Sequence, residues 1–314
     1  ILNINDIQYY KKKNIPSKLE ILLNKSKEGL NLKKISFNEN QNYISAKNLN
    51  ISSDLKIKSV DEIDVNYLNS NDVLNNFKIK KSLNNYIFSG YQIDGEQLVE
   101  KLLKTNKENK FSKLFDNIST SLILNLNKIY LEKNTYLEKF MGEFDFKKNE
   151  LFLAKADAIL ENKKKFSYSY RTTAKNEKIT NIFIDGPKPF INNYKFIKGF
   201  EEGELKLNTM KIDNTSRSNL KITNFKVKEV PILAKILTLA SLQGIADLLT
   251  GEGIRFDEFE MDFKTKNNLT KIDELYALGP AISIMMEGYI QKDSMTSLRG
   301  TLVPATTINK TISK

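Results

Sequence analysis

Apolar and polar residues alternate with a period of two along most of this chain, and this limits the folds that it can adopt. Successive side chains of a β-strand point to opposite faces, so the alternation predicts strands with one apolar and one polar face. Asn, Asp, Ser and Gly separate the runs with few helical segments between them, which favours an antiparallel meander. The predicted strands are Asn3–Tyr10, Lys18–Leu23, Leu30–Asn38, Tyr43–Ile51, Leu55–Tyr67 and Asn85–Gln92, followed by strands within residues 111–186, 203–228 and 255–303.

Three segments have helical spacing instead, at residues 94–104, 187–198 and 231–250. The third is the longest nearly unbroken apolar segment, with Pro231 at its start and Gly251 after its end. Lys235 and Asp247 interrupt it, so we interpret it as a helix that caps the sheet and not as a membrane span. The side chains predicted to face the sheet are Ile232, Leu233, Ile236, Leu237, Ala240, Ile245 and Leu248.

The order of these elements predicts three segments. The first is a β-meander at residues 1–92, and the second, at 93–200, is a helix followed by a meander. The third, at 201–314, contains the long helix. The three segments could also form one continuous β structure.

The composition excludes several kinds of chemistry. The chain contains no Cys and no His, which excludes disulfides, thiolate catalysis, and every Ser-His, Cys-His or metal-His site. The sequence therefore predicts a protein that is not an enzyme and has no cofactor and no metal.

The net charge of +11 does not point to nucleic acid. Of the 49 basic residues only four are Arg, namely Arg171, Arg217, Arg255 and Arg299. Arg is the side chain that usually contacts guanine and phosphate in a bidentate way. We predict no nucleic-acid partner. If the Lys residues have a function, attraction to anionic lipid headgroups explains them as well as attraction to nucleic acid does.

One strand is rich in carboxylates. In RFDEFEMDF, Glu258, Glu260 and Asp262 share a face, which is compatible with a divalent-cation or acid–base site. The simpler interpretation, which we prefer, is the solvated outer face of an amphipathic strand.

The sequence predicts many apolar strand faces and only a few helices to cover them. These faces must therefore be covered in another way. A closed barrel or a sandwich is one solution. An open trough lined by lipid acyl chains is another, because a bare apolar surface would aggregate. Periodicity alone does not choose between them.

The last third of the chain adds a resemblance. It is carried by LKITNFKVKEVPILAKILTLASLQGIADLLTGEGIRFDEFEMDF at 220–263 and IDELYALGPAISIMMEGYIQKDSMTSLRGTLVPA at 272–305. In the order of helix, turns and strand ends, these segments resemble the C-terminal region of bacterial AsmA-like proteins, a family similar to bridge-like lipid transporters. Residues 86–204 resemble the preceding segment of that family more loosely. The sequence departs from the family mainly by placing Lys and Asn at surface positions.

The resemblance implies a mainly β fold in which the meander forms an elongated, twisted, half-open groove with about three short helices. It also implies a periplasm-facing protein, anchored in the inner membrane by a segment outside this chain, that conducts phospholipid between the inner and outer membranes. Its expected partners are phospholipid, a membrane surface and other envelope proteins. The alternative is a structural envelope scaffold or adhesin-like domain with a closed, dry core.

The residues predicted to line the groove are apolar members of the alternating strands. They are Leu122, Leu124, Leu126, Leu205, Leu207, Phe259, Met261, Phe263, Ile282, Ile284, Met286, Leu298 and Leu302. No catalytic residue is predicted.

Overall fold

The computed structural model describes residues 3–4, 8–11, 13–26, 29–96, 119–132, 135–191, 199–291 and 296–304. Within these residues the chain forms twenty strands and three short α-helices. The chain divides into two compact units, Ile1–Lys163 and Lys164–Lys314. The sequence-based boundaries after residues 92 and 200 each lie inside one of these units.

The first unit contains the strands β1 to β12. Their bounds are β1 Asn3–Ile4, β2 Tyr9–Tyr10, β3 Lys18–Ser26, β4 Gly29–Glu39, β5 Asn42–Ser52, β6 Ile57–Ser59, β7 Glu62–Leu68, β8 Leu74–Ser82, β9 Asn85–Asp94, β10 Thr120–Glu132, β11 Thr135–Lys147 and β12 Glu150–Ile159. β1 and β2 form a separate hairpin, and β3 to β5 are antiparallel neighbours. β5 pairs with both β6 and β7, and the meander continues through β8 to β9.

One pairing in this unit departs from the predicted antiparallel meander, because β9 and β10 are parallel. Parallel neighbours need a connection of a dozen or more residues to return the chain to the same end of the sheet. Residues 95–119 provide that length. The predicted helix at 94–104 falls in this connection and lies outside the described residues from residue 97 onward.

A small cluster of aromatic side chains packs the hairpin of β1 and β2 against the sheet. Tyr9 is buried, with its ring edge-on to Phe37 at 5.7 Å and to Tyr67 at 5.5 Å between ring centroids. Its hydroxyl donates a hydrogen bond to the buried carboxylate of Glu39. Burial, followed by the interaction with Glu39, raises the pKa of Tyr9 above its usual range, so the phenol stays protonated.

The second unit contains eight strands and the three helices. The strands are β13 Lys165–Thr172, β14 Lys178–Asp185, β15 Gly199–Ile212, β16 Thr215–Lys228, β17 Ile254–Lys266, β18 Leu269–Leu278, β19 Ile282–Gln291 and β20 Thr296–Pro304. The helices are α1 Lys188–Ile191, α2 Pro231–Leu239 and α3 Gln243–Thr250. Each strand pairs antiparallel with the next. Among the described residues, no pairing within this unit returns from β20 to β13, so its sheet has two ends.

Two of the predicted helices need correction. Residues 231–250 form two helices and not one, because Ser241 has a φ of 58°, outside the right-handed helical region. Pro231 and Gly251 occupy the predicted start and end. In the 187–198 segment the described helix is only the four residues of α1, and 192–198 lie outside the described residues.

The fold-class prediction is confirmed: the protein is mainly β, and its described residues form a meander with three short helices. Among the described residues, no helix combines the length and the apolar character needed to span a bilayer. The alternation in the sequence produces this fold because each strand buries one face and solvates the other.

Candidate functional site

The strand register of the second unit aligns apolar side chains into rows that run across all eight strands. We call the row nearest the helices row 1. Its members are Phe166, Ile184, Leu205, Ile222, Phe259, Ala277, Ile284 and Leu302. Row 2 lies two residues further along each strand, on the same face. Its members are Tyr168, Ile182, Leu207, Leu220, Met261, Leu275, Met286 and Gly300. Rows 1 and 2 together are the apolar surface.

Ten of the thirteen predicted groove residues lie on this one face of the second unit. Leu205, Leu207, Phe259, Met261, Ile284, Met286 and Leu302 belong to rows 1 and 2, and Ile282, Phe263 and Leu298 are their neighbours on the same face. Strand alternation fixes this arrangement, because residues two apart on a strand share a face.

The helices cover one end of this face. Leu237 of α2 and Ala246 and Leu249 of α3 are buried in a cluster with sheet residues that include Phe256 and Ile282. The end of α3 is also tied to the end of β16, since the Glu229 amide donates to the Leu249 carbonyl at 3.0 Å. The helix pair is therefore a cap on the sheet, as the sequence predicts.

Phenylalanine side chains form the centre of this capped end. The ring of Phe225 stacks between Phe200 at 5.4 Å and Phe256 at 5.5 Å, and it meets Phe259 edge-on at 6.5 Å between centroids. Sequence reasoning did not single out Phe200, Phe225 or Phe256. Their signal was present in the apolar positions of β15 to β17, but on β16 the buried face changes from even to odd positions between Ile222 and Phe225. Asn224, which lies between them, has a φ of 52°, outside the extended region.

The predicted inward face of the helix is partly wrong. Leu237 is buried, and Leu233, Ile236 and Ile245 are half-buried. Ala240 and Leu248 are exposed, and Ala246 and Leu249 point inward in their place. The break at Ser241 explains the difference, since α3 does not continue the rotation of α2. The backbone of Ile232 lies in α2 as predicted.

Row 1 is more deeply buried than row 2. Ile184, Ile222, Ala277 and Ile284 of row 1 are buried. The row 2 side chains are half-buried, and the buried cluster reaches this row only at Leu220 and Met286. The three helices are the only elements outside the sheet that the structure describes in this unit. Much of row 2 therefore has no described helix over it.

The first unit has an apolar face of the same kind. Leu124, one of the predicted groove residues, aligns with Phe88 on β9 and with Gly142 on β11. Leu122 and Leu126 flank it on the same face, where Leu126 is fully buried and the other two are half-buried. These three residues share a face with one another, as the sequence predicts.

The opposite face of the second unit carries charged side chains that pair with one another. Lys221 contacts Glu258 at 2.5 Å and Glu260 at 3.5 Å. The Tyr276 hydroxyl donates to Glu258 at 2.9 Å and to Glu260 at 2.5 Å, and Asn219 donates to Glu260 at 2.7 Å. Paired charges on a solvated face contribute little stability, but they keep this face hydrophilic.

These contacts set the protonation of the network. The hydrogen bond from Lys221 lowers the pKa of Glu258, and the hydrogen bond from Tyr276 lowers that of Glu260. The contact with Glu258 raises the pKa of Lys221. Both carboxylates therefore stay ionised at neutral pH. Asp262 accepts a hydrogen bond from Asn219 at 2.9 Å.

The acidic strand thus presents a solvated face whose carboxylates are engaged by Lys221, Tyr276 and Asn219. Within the described residues, no group of three acidic side chains is arranged to hold a metal ion. On the apolar face, by contrast, burial raises the pKa of Tyr168 in row 2 to about 12. The two faces of one sheet therefore differ in polarity, since one carries paired charges and the other carries rows 1 and 2.

Comparison of the chain with protein-family models, with curated proteins and with solved structures gives no match in any of the three. The resemblance to AsmA-like proteins therefore stays a prediction.

Proposed function

We propose that this chain is a non-enzymatic lipid-binding segment that takes up phospholipid acyl chains on its apolar sheet faces. The observation that carries the proposal is the apolar surface of the second unit. It is continuous across eight strands, and described helices cover only one of its ends. Contiguous apolar surfaces of this kind usually mark a binding site for a partner or a lipid.

The energetics of such binding are simple. Each CH₂ group of an acyl chain that leaves water for the apolar surface contributes about 0.8 kcal/mol. The rows supply Leu, Ile, Met and Phe side chains without an interposed charge, so nothing along them would have to be desolvated at a high cost. Lipid headgroups would stay in water, near the Lys residues.

The setting of the proposal comes from the sequence resemblance. We place the protein in a bacterial envelope, facing the periplasm and held at the inner membrane by a segment outside this chain. There it would pass phospholipid towards the outer membrane without chemical change. Its partners would be the lipid, a membrane surface and other envelope proteins.

A photocrosslinking experiment tests lipid binding at the level of single residues. A photoreactive amino acid is placed at Leu207, in row 2, or at Asn208, the next residue, which is exposed on the opposite face. The full chain is incubated with phospholipid vesicles and irradiated, and crosslinked lipid is detected by mass spectrometry. We expect phospholipid adducts from position 207 and few or none from position 208.

Equal labelling at the two positions would contradict the proposal, because it would mean that lipid does not distinguish the two faces. Labelling at neither position would favour the alternative, a structural scaffold with a dry core.

A further inference from the structure

The side chains on the lipid-binding face change character along the strands of the second unit. Beyond row 2, row 3 mixes apolar residues with hydroxyls, and its members are Tyr170, Thr180, Thr209, Ser218, Phe263, Ile272, Gly288 and Leu298. Row 4, at the end of the sheet away from the helices, is almost entirely polar. Its members are Thr172, Lys178, Lys211, Ser216, Thr265, Thr270, Ile290 and Thr296. The face is therefore amphipathic along its length.

The charge of row 4 has one sign. Lys178 and Lys211 lie directly opposite each other on β14 and β15, and neither row 3 nor row 4 contains a carboxylate. Like charges at directly opposite positions repel each other. Lys211 is exposed and forms no ion pair with any residue that the structure describes. An anion near Lys211 would neutralise its charge.

The hydroxyls of rows 3 and 4 can also bind an anion. Thr209 and Ser218 are 2.9 Å apart, and Thr265 and Thr270 are 3.0 Å apart, between their side-chain oxygens. Each pair uses one of its two hydroxyl hydrogens, so the other hydroxyl can still donate to a ligand. Hydroxyl donors beside a Lys are well suited to phosphate oxygens.

The length of the face matches a single acyl chain. Leu205 in row 1 and Lys211 in row 4 are six positions apart on β15. At about 3.3 Å per residue this is roughly 20 Å. One leaflet supplies about half of the ~30 Å hydrocarbon core of a bilayer. An acyl chain of about 15 Å that begins at row 1 would thus reach row 3 and place its headgroup near row 4.

We propose that the second unit binds amphiphiles with a phosphate headgroup in one orientation, with the phosphate at Lys211 and the chain directed towards α2 and α3. This inference rests on the proposed function, since it requires that the apolar surface bind acyl chains. It adds the position of the phosphate and the direction of the bound molecule.

The test compares amphiphiles that share a chain but differ in headgroup. Binding of dodecyl phosphate, dodecyl maltoside and inorganic phosphate to the full chain is measured by calorimetry below the micellar concentrations. We expect the wild type to bind dodecyl phosphate more tightly than dodecyl maltoside. Lys211→Glu should weaken dodecyl phosphate binding by about tenfold or more, since a charged hydrogen-bond partner is replaced by a like charge. Binding of dodecyl maltoside should be unchanged.

Two further variants serve as controls. Lys211→Gln removes the charge without introducing repulsion and should give a smaller loss in the same direction. Arg217→Glu makes a similar charge change at the same end of the sheet, on the exposed opposite face beside Met210. It should leave the binding of both amphiphiles unchanged.

The outcomes separate the inference from the proposed function. If both amphiphiles bind equally well and Lys211→Glu has no effect, the headgroup site is wrong while acyl binding stands. If neither amphiphile binds, the proposed function fails. If inorganic phosphate binds as tightly as dodecyl phosphate, the site is one for free phosphate and the proposed orientation is overturned.

Discussion

Replacement of Phe225 by alanine is expected to lower the free energy of unfolding of the second unit by about 3–5 kcal/mol. The ring is 5% exposed and stacks on Phe200 and Phe256 at the capped end of the sheet. Its removal leaves a cavity between two rings that the surrounding strands hold apart. Chemical denaturation of the full chain, followed by far-UV circular dichroism, measures the change.

Leu239→Ala provides the control for this prediction. Leu239 is 78% exposed at the end of α2, so its truncation should change the free energy of unfolding by no more than about 0.5 kcal/mol. A cost below about 1 kcal/mol for Phe225→Ala would mean that the stacked rings are not the core of the capped end.

Met286→Asp is expected to abolish most lipid transfer while the protein remains folded. Met286 is half-buried in row 2, and an ionised carboxylate there would oppose the approach of an acyl chain. Transfer of a fluorescent phospholipid between donor and acceptor vesicles should fall by an order of magnitude or more. Circular dichroism should remain that of the wild type, because water can reach the new carboxylate when no lipid is bound.

The neighbouring methionine supplies a matched control. Met285 is 58% exposed on the opposite face, so Met285→Asp adds the same charge one residue away. Transfer by that variant should equal that of the wild type. If instead Met286→Asp unfolds the second unit, with a loss of several kcal/mol, row 2 is part of a dry core and the scaffold alternative is correct.

The sequence predicts the faces of single strands well, because alternation needs no knowledge of neighbouring strands. Leu205 and Leu207, or Phe259, Met261 and Phe263, share a face by their spacing alone. The rows across strands depend on register, which the turns and bulges determine. The positive φ of Asn224 accompanies a change in the buried face of β16, and a long connection permits the parallel pairing of β9 with β10. The alternating pattern carries no sign of either.

The prediction for residues 231–250 also depends on geometry that the sequence pattern does not contain. The apolar content of residues 231–250 predicts helical structure at the end of the sheet. The left-handed residue Ser241 divides it, so Leu248 turns outward and Leu249 turns inward. Local hydrogen bonds end α2 at this residue, since the Ser241 amide donates to the Thr238 carbonyl at 3.0 Å and the Leu242 amide donates to the Leu237 carbonyl at 2.8 Å. The direction of α3 was therefore outside the reach of helical periodicity.

The basic side chains on the two faces of the second unit differ in whether they are paired with carboxylates. On one face, Lys221 and Arg255 are paired with carboxylates, Arg255 with Glu202 at 2.9 Å. On the other face, Lys211 has no described ion-pair partner and stands beyond the apolar rows. The proposed orientation of the bound lipid places its anionic headgroup at this position.

The most direct test of lipid binding is the lipid content of the protein itself. The full chain is purified from a bacterial host without detergent, extracted with organic solvent and analysed by quantitative mass spectrometry, with Met286→Asp purified in parallel. We predict phospholipid in stoichiometric amounts with the wild type, and much less with the variant. Wild-type protein that is folded and free of phospholipid would contradict the proposal that its apolar surface binds acyl chains.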